Sequence, residues 1–150
     1  MAVSITSAAH LLLHDDDQLL MIRRHNTGYE DGNYSVVAGH IEHGEPARQA
    51  MVREAREEAN IDLDIDDLDF AHMMYRLSDG IVRVDLFFEC ARWAGTVENV
   101  EPHKCDAMTW YPCRNLPDNT IPYVRTALEH IAAGRTFSEF GWPVLEHSPS

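Results

Sequence analysis

Glu54, Glu57 and Glu58 lie within five residues of one another in "REAREEAN" (53–60). On a helix, positions i, i+3 and i+4 bring their side chains to one patch of surface. Three like charges there weaken the helix slightly unless something positive joins them. Carboxylate oxygens that converge in this way are the donors a hard cation such as Mg2+ or Mn2+ takes. Arg48, Arg53 and Arg56 on the same segment offer the simpler alternative, a solvated face laced by salt bridges. The helix is legible from its ends. Pro46 suits its first position, Glu45 complements the N-terminal dipole, and Asn60 tolerates the left-handed conformation of a C-terminus. It is predicted to run from about Pro46 to Ala59. Ala47, Met51, Ala55 and Ala59 recur at four-residue steps, a mostly small stripe that lets the helix lie close to a sheet.

The surrounding chain must supply that sheet. The apolar runs "ITSAAHLLLH" and "QLLMIRR", parted by "DDD", predict a hairpin. "NTGYEDGNY" (26–34) is rich in turn formers and predicts a loop. "SVVAG" predicts a short buried strand leading into the acidic helix. Strands are expected near 65–77 and 81–92, joined at "SDG" (78–80). A long loop is expected over 93–106, then a last strand at "AMTWYP" and a helix over 121–134 ending at Gly134. "DLDIDDLDF" (62–70) alternates acids with aliphatics, so its acids are expected to be solvated. Strands and helices are mixed without a regular βαβ repeat. That order predicts an α+β fold with a mixed sheet between helices, not a doubly wound parallel sheet. The length predicts one domain over 1–150.

The net charge is −13. A surface so acidic excludes a general binder of nucleic-acid polymers or anionic membranes. A small phosphorylated ligand stays possible if divalent cations stand between it and the protein. No apolar run reaches membrane-spanning length. The N-terminus also lacks the basic start of a secretory signal, so a soluble, cytoplasmic protein is expected. Cys90, Cys105 and Cys113 are odd in number and lack CxxC spacing, which predicts neither a disulfide framework nor a zinc site. His40 and His43 alone are too few ligands for structural zinc.

One spacing is more specific. Gly39, five residues, Glu45, seven residues, Arg53-Glu54-Ala55, one residue, Glu57-Glu58, one residue, Asn60-Ile61 resembles the Nudix box of the MutT-like pyrophosphohydrolases. Two positions depart from that pattern. Asn60 replaces the usual glycine, which its tolerance of the left-handed region accommodates. Ala55 replaces a larger aliphatic residue, a change of packing and not of chemistry. Val37 and Ala38 stand where many relatives carry proline and glycine. "MIRR", "SVVAGHIEHGE", "FFECARW" and "LPDNT" extend the likeness beyond the box.

The resemblance implies a Nudix-type α/β/α sandwich and a magnesium- or manganese-dependent attack of water on a nucleoside diphosphate linked to another group. Glu54, Glu57 and Glu58 would hold the metal together with the backbone carbonyl of Ala38, and Glu54 could also orient or deprotonate the water. Glu45 and Arg53 would brace the loop against the helix. Glu101 matches the place of a distal acid, with Glu98 and Glu89 as rivals. Arg24, at the end of the second strand beside Arg23, is expected near the phosphates. Asp106, Trp110 and Asn119 are expected to line the nucleobase pocket, Trp110 by stacking and the other two by pairing with a base edge. The first reading is a small-molecule nucleotide hydrolase that cleaves an ordinary or oxidised nucleoside triphosphate to the monophosphate and pyrophosphate. ADP-ribose or a nucleotide sugar is the second reading. A nucleotide-sensing module without catalysis is the third, and the intact acids speak against it.

Overall fold

The computed structural model describes residues 4–143. Two strands, β1 (Ile5–Asp15) and β2 (Gln18–Arg24), form the expected hairpin, but they pair only at its closed end, His14 with Leu19 and Asp15 with Gln18. Beyond that point β1 parts from β2. One of its edges runs parallel to β6 (Ile81–Cys90), and the other meets β4 (Val37–His40). β2 pairs instead with β3 (Tyr34–Ser35) and, on its other edge, with β7 (Cys105–Pro112). β5 (Asp69–Ser78) joins β6 antiparallel, and β8 (Phe137–Phe140) closes that side parallel to β5. Asp79 and Gly80, both with positive φ, make the tight turn between β5 and β6.

The mixed sheet has a helix on each face. α1 (Ala47–Ala59) lays Met51, Ala55 and Ala59 on Leu11, Leu13, Leu20 and Val37. α2 (Pro122–Ala132) lays Val124 and Ala127 against Leu12, Met21, Met74 and Phe87 on the other face. Coverage of both faces explains why "LLL" and "LLMI" are continuous apolar runs without alternation. The architecture is the expected α+β sandwich. No helix among the described residues is long and apolar enough to cross a membrane.

Several local expectations need correction. "AMTWYP" is not the last strand: its strand starts earlier, at Cys105, and β8 follows α2. Four residues of "FSEF" carry little signal of their own; β8 exists because β5 offers it an edge. "SVVAG" is two strands, broken at Val36, because β3 pairs with β2 while β4 pairs with β1. Residues 65–67 form a 3-10 turn, so the strand there begins only at Asp69. Pro46 caps α1 with an extended backbone and is not its first helical residue. Cys90, Cys105 and Cys113 are all free thiols.

Asn60 ends α1 with φ 58° and ψ 32°, and its N–H reaches the Arg56 carbonyl at 3.2 Å. Its side-chain amide also donates to Glu98 at 3.2 Å, a partner the helix pattern alone could not name. Asn60→Gly eases the backbone and loses an exposed hydrogen bond, so it should change stability by less than about 0.5 kcal/mol. Asn60→Ala keeps the strain and loses the bond, and should cost about 1 kcal/mol. Urea denaturation of the two variants measures the difference; equal losses would refute the left-handed cap as the determinant.

Candidate active site

β4 leads straight into the loop before α1, and the two are packed so tightly that their contact defines the site. A Cβ on Gly39 would fall on the Glu54 carboxylate. Glycine at 39 is therefore demanded by close approach. The neighbouring Ala38 N–H donates to Glu58 Oε2 at 3.1 Å. β4 thus fixes two of the three helix acids from the sheet side.

Arg53 fixes the rest. Its Nε and Nη2 bind the two oxygens of Glu45 at 2.8 and 3.0 Å, and Nη2 also reaches the His40 carbonyl at 3.0 Å. Nη1 contacts Glu54 Oε1 at 2.9 Å and Glu57 Oε2 at 3.1 Å. The Glu45 carboxylate also accepts from the Glu42 N–H, which ties the loop to the same guanidinium. These bonds hold Glu45 below the ordinary carboxylate range, chiefly through Arg53. The bracing expected of Glu45 and Arg53 is present in these contacts.

The acids open onto a cleft of about 740 Å³. Glu54, Glu57, Glu58, Glu101, Ala38 and Arg24 all line it. Glu101 is positioned by Asn99, whose side chain accepts from the Glu101 N–H at 3.2 Å and donates to the Cys105 carbonyl at 2.6 Å. Of its rivals, Glu98 is turned to Asn60 and Glu89 does not line the cleft. Arg24 is held at the wall by its bond to the Tyr29 carbonyl at 2.8 Å, with its guanidinium over the Tyr29 ring.

Three expected residues are not brought to this cleft. Asp106 points away and pairs with Arg23 at 2.6 Å, with His25 at 3.6 Å. Trp110 stacks on Trp93 at 5.8 Å between centroids and packs on the core beneath α1. Asn119 donates to the Gly32 carbonyl at 2.7 Å and so pins the 26–33 loop. In their place the cleft takes Tyr29, His10, Arg76, Arg83, Asp85 and Tyr123. The readable signal for these was charge inside apolar strands: "YRLSDGIVRVDLFF" carries Arg76, Arg83 and Asp85 amid core residues.

Residues 4–131 match the family model described as NUDIX domain. The chain belongs to the Nudix family. Solved structures with this fold include a MutT NUDIX hydrolase from Burkholderia pseudomallei, at 23% identity and TM-score 0.77, covering 84% of this chain and 97% of that one. The MutT protein from Methanosarcina mazei Go1 matches at 15% identity and TM-score 0.76, over 89% of this chain and 96% of that one. An ADP compounds hydrolase matches at 20% identity and TM-score 0.67, over 85% of this chain and 71% of that one. At these identities the structural likeness speaks to the fold, and the Nudix site must be judged on its own geometry.

That geometry suits a divalent cation. The donors are all oxygens, as a hard cation requires. Glu58 keeps some accessible surface, but its carboxylate is desolvated; burial, then the charges of Glu54 and Glu101, push it up to about 8. Burial also raises Glu54, against the pull of Arg53. Among the described residues no three such side chains already close on one point. Like charges separate without a cation, and Arg53 and the Ala38 N–H draw the carboxylates apart.

Two predictions test this arrangement. Glu58 carries a proton in the fold that it would lose above about pH 4.5 in the unfolded chain. The folded state binds more protons between those values, so the metal-free protein should lose stability as pH rises from about 4.5 to about 8. Glu58→Gln should flatten that fall, read as denaturation midpoints in chelator from pH 5 to 9; parallel curves would refute the shift. Gly39→Ala should displace the Glu54 carboxylate and suppress activity while circular dichroism stays unchanged. Normal turnover would show that Glu54 is not needed where it stands.

Proposed function

We propose that this Nudix family member is a divalent-cation-dependent hydrolase of a nucleoside diphosphate linked to a further group. The reading is carried by one observation: Glu54, Glu57, Glu58 and Glu101 line one open cleft, a set of oxygen donors whose mutual repulsion a bound cation would relieve. Glu54, Glu57, Glu58 and Glu101, with the Ala38 carbonyl, would hold Mg2+ or Mn2+. The bound ion would neutralise the phosphates and polarise the bond to be broken.

The chain's own residues supply the rest. Arg24 stands in the cleft without a carboxylate within ion-pair distance among the described residues, free to bind phosphate oxygens. Glu54 has one oxygen on Arg53 and the other unclaimed by any side chain among the described residues. That second oxygen orients the attacking water and takes its proton, a role helped by burial, which raises the proton affinity of the carboxylate. Water oxygen bonds to phosphorus as the P–O bond to the leaving group breaks, and the leaving phosphate departs with the electron pair. Arg53 works on the carboxylates and not on the substrate.

A nucleoside triphosphate, ordinary or oxidised, cleaved to monophosphate and pyrophosphate is the substrate favoured here. The fold it shares with an ADP compounds hydrolase supports a second reading, a sugar-linked nucleoside diphosphate. Incubating both classes with the protein and Mg2+, then separating products by chromatography, decides between them. Glu57→Gln should abolish turnover without unfolding the protein, and Arg53→Ala should lower it by roughly 10- to 100-fold. Asp66→Asn, on the solvated 3-10 turn, should leave both turnover and stability unchanged. Full activity in a folded Glu57→Gln protein would overturn the metal assignment.

A further inference from the structure

Beyond β4, the cleft continues onto the sheet face that α2 leaves uncovered. Arg76 on β5 and Arg83 on β6 stand directly opposite each other there. Like charges in such a pair are destabilising. Asp85, two residues from Arg83 on the same face, does not relieve both. It is claimed by Arg76, at 2.7 Å from Nε and 3.3 Å from Nη2. The Arg76 guanidinium is locked further by the Tyr123 ring, 3.6 Å beneath it. Arg83 has no hydrogen bond or ion pair among the described residues, although Asp79 also lines the cleft. A half-buried guanidinium with five donors and no acceptor is an unpaired group waiting for a ligand.

Its place in the sheet says which part of a ligand it meets. Arg83 lies two strands across from β4, roughly 10 Å. It is also four residues along β6 from Phe87, which is level with Ala38 through His10, roughly 13 Å. Backbone to backbone it stands well away from Ala38, on the side of the cleft where the far end of a nucleotide held by its phosphates at the acids would lie. Tyr29, 40% exposed on the cleft wall, offers an aromatic face, which suits a ring more than a bare anion.

We propose that Arg83 is a specificity-determining residue that donates to the O6/N7 edge of a 6-oxopurine. The inference rests on the nucleotide reading above and names the base. A guanidinium matches two coplanar acceptors bidentately, as guanine and hypoxanthine present them. Adenine puts an amino donor at one of those positions and meets donors with a donor. Pyrimidines lack the paired acceptors on that edge.

Equilibrium binding tests this without turnover. GMP, IMP, AMP and CMP are titrated calorimetrically into the wild type, Arg83→Ala, Arg83→Lys and Tyr29→Ala, with inorganic pyrophosphate as the anion control. The wild type should bind GMP and IMP roughly 5- to 100-fold more tightly than AMP and CMP. Arg83→Ala should erase that preference while leaving pyrophosphate binding unchanged. Arg83→Lys should keep the fold and still lose most of the preference, because an ammonium cannot make the bidentate contact. Tyr29→Ala should weaken all four nucleotides alike. A base preference that survives Arg83→Ala, or an equal loss for pyrophosphate and every nucleotide, would overturn the proposal. Assaying the wild type with Mg2+ and a nucleotide panel of both substrate classes separates the two readings: an Arg83-dependent preference in a wild type that hydrolyses none of them would sustain this inference and defeat the hydrolytic one.

Discussion

Arg53 divides its guanidinium among Glu45, Glu54, Glu57 and the His40 carbonyl. Three carboxylates on one turn and a half of helix would otherwise push one another apart and turn to solvent. The arginine holds two of them at the mouth of the cleft and ties the loop before α1 to the helix that follows. Burial of the cation is compensated by these acids, which raise its affinity for its proton, Glu45 foremost. Isolated surface ion pairs contribute little; this one is planar, multidentate and partly enclosed, the geometry in which charge-assisted bonds are strongest.

Packing on β4 completes the constraint. The absent side chain of Gly39 lets α1 approach until Glu54 lies where a Cβ would be. Ala38 presents its N–H to Glu58. The small stripe of Ala50, Ala55 and Ala59 permits the same closeness along the rest of the helix. The packing that brings Glu58 against β4 strips it of water and raises its proton affinity, and the Ala38 N–H offsets part of that rise.

The cleft is therefore polarised. One end gathers acids, and the floor beyond β4 gathers arginines. Between them His10 is buried against Phe87, with a bond to the Tyr123 hydroxyl at 3.0 Å. Burial lowers its proton affinity, so it adds no charge to the floor. A ligand with anionic phosphates and an acceptor-rich base complements both ends once cations stand at the first.

Much of the acid end was written locally. Glu54, Glu57 and Glu58 converge because of helical periodicity, Asn60 caps because its side chain tolerates the left-handed region, and Glu45 with Arg53 lies close enough in sequence for the box spacing to pair them. The hairpin, the two helices and the sandwich class follow from apolar patterning in the same way. The floor was decided elsewhere. Arg76, Arg83 and Asp85 meet only because β5 and β6 take one register, and His10 and Tyr123 meet across 113 positions of chain. Trp110, Asp106 and Asn119 had the right chemistry to read a base, but nearby partners hold them elsewhere: Trp93, Arg23 and the Gly32 carbonyl. β8 had no local pattern strong enough to announce it and needed the open edge of β5. Periodicity and capping act over a few residues, so the sequence by itself determined what each element is. Register and close packing join residues far apart in the chain, so only the tertiary structure decided which side chains share the cleft.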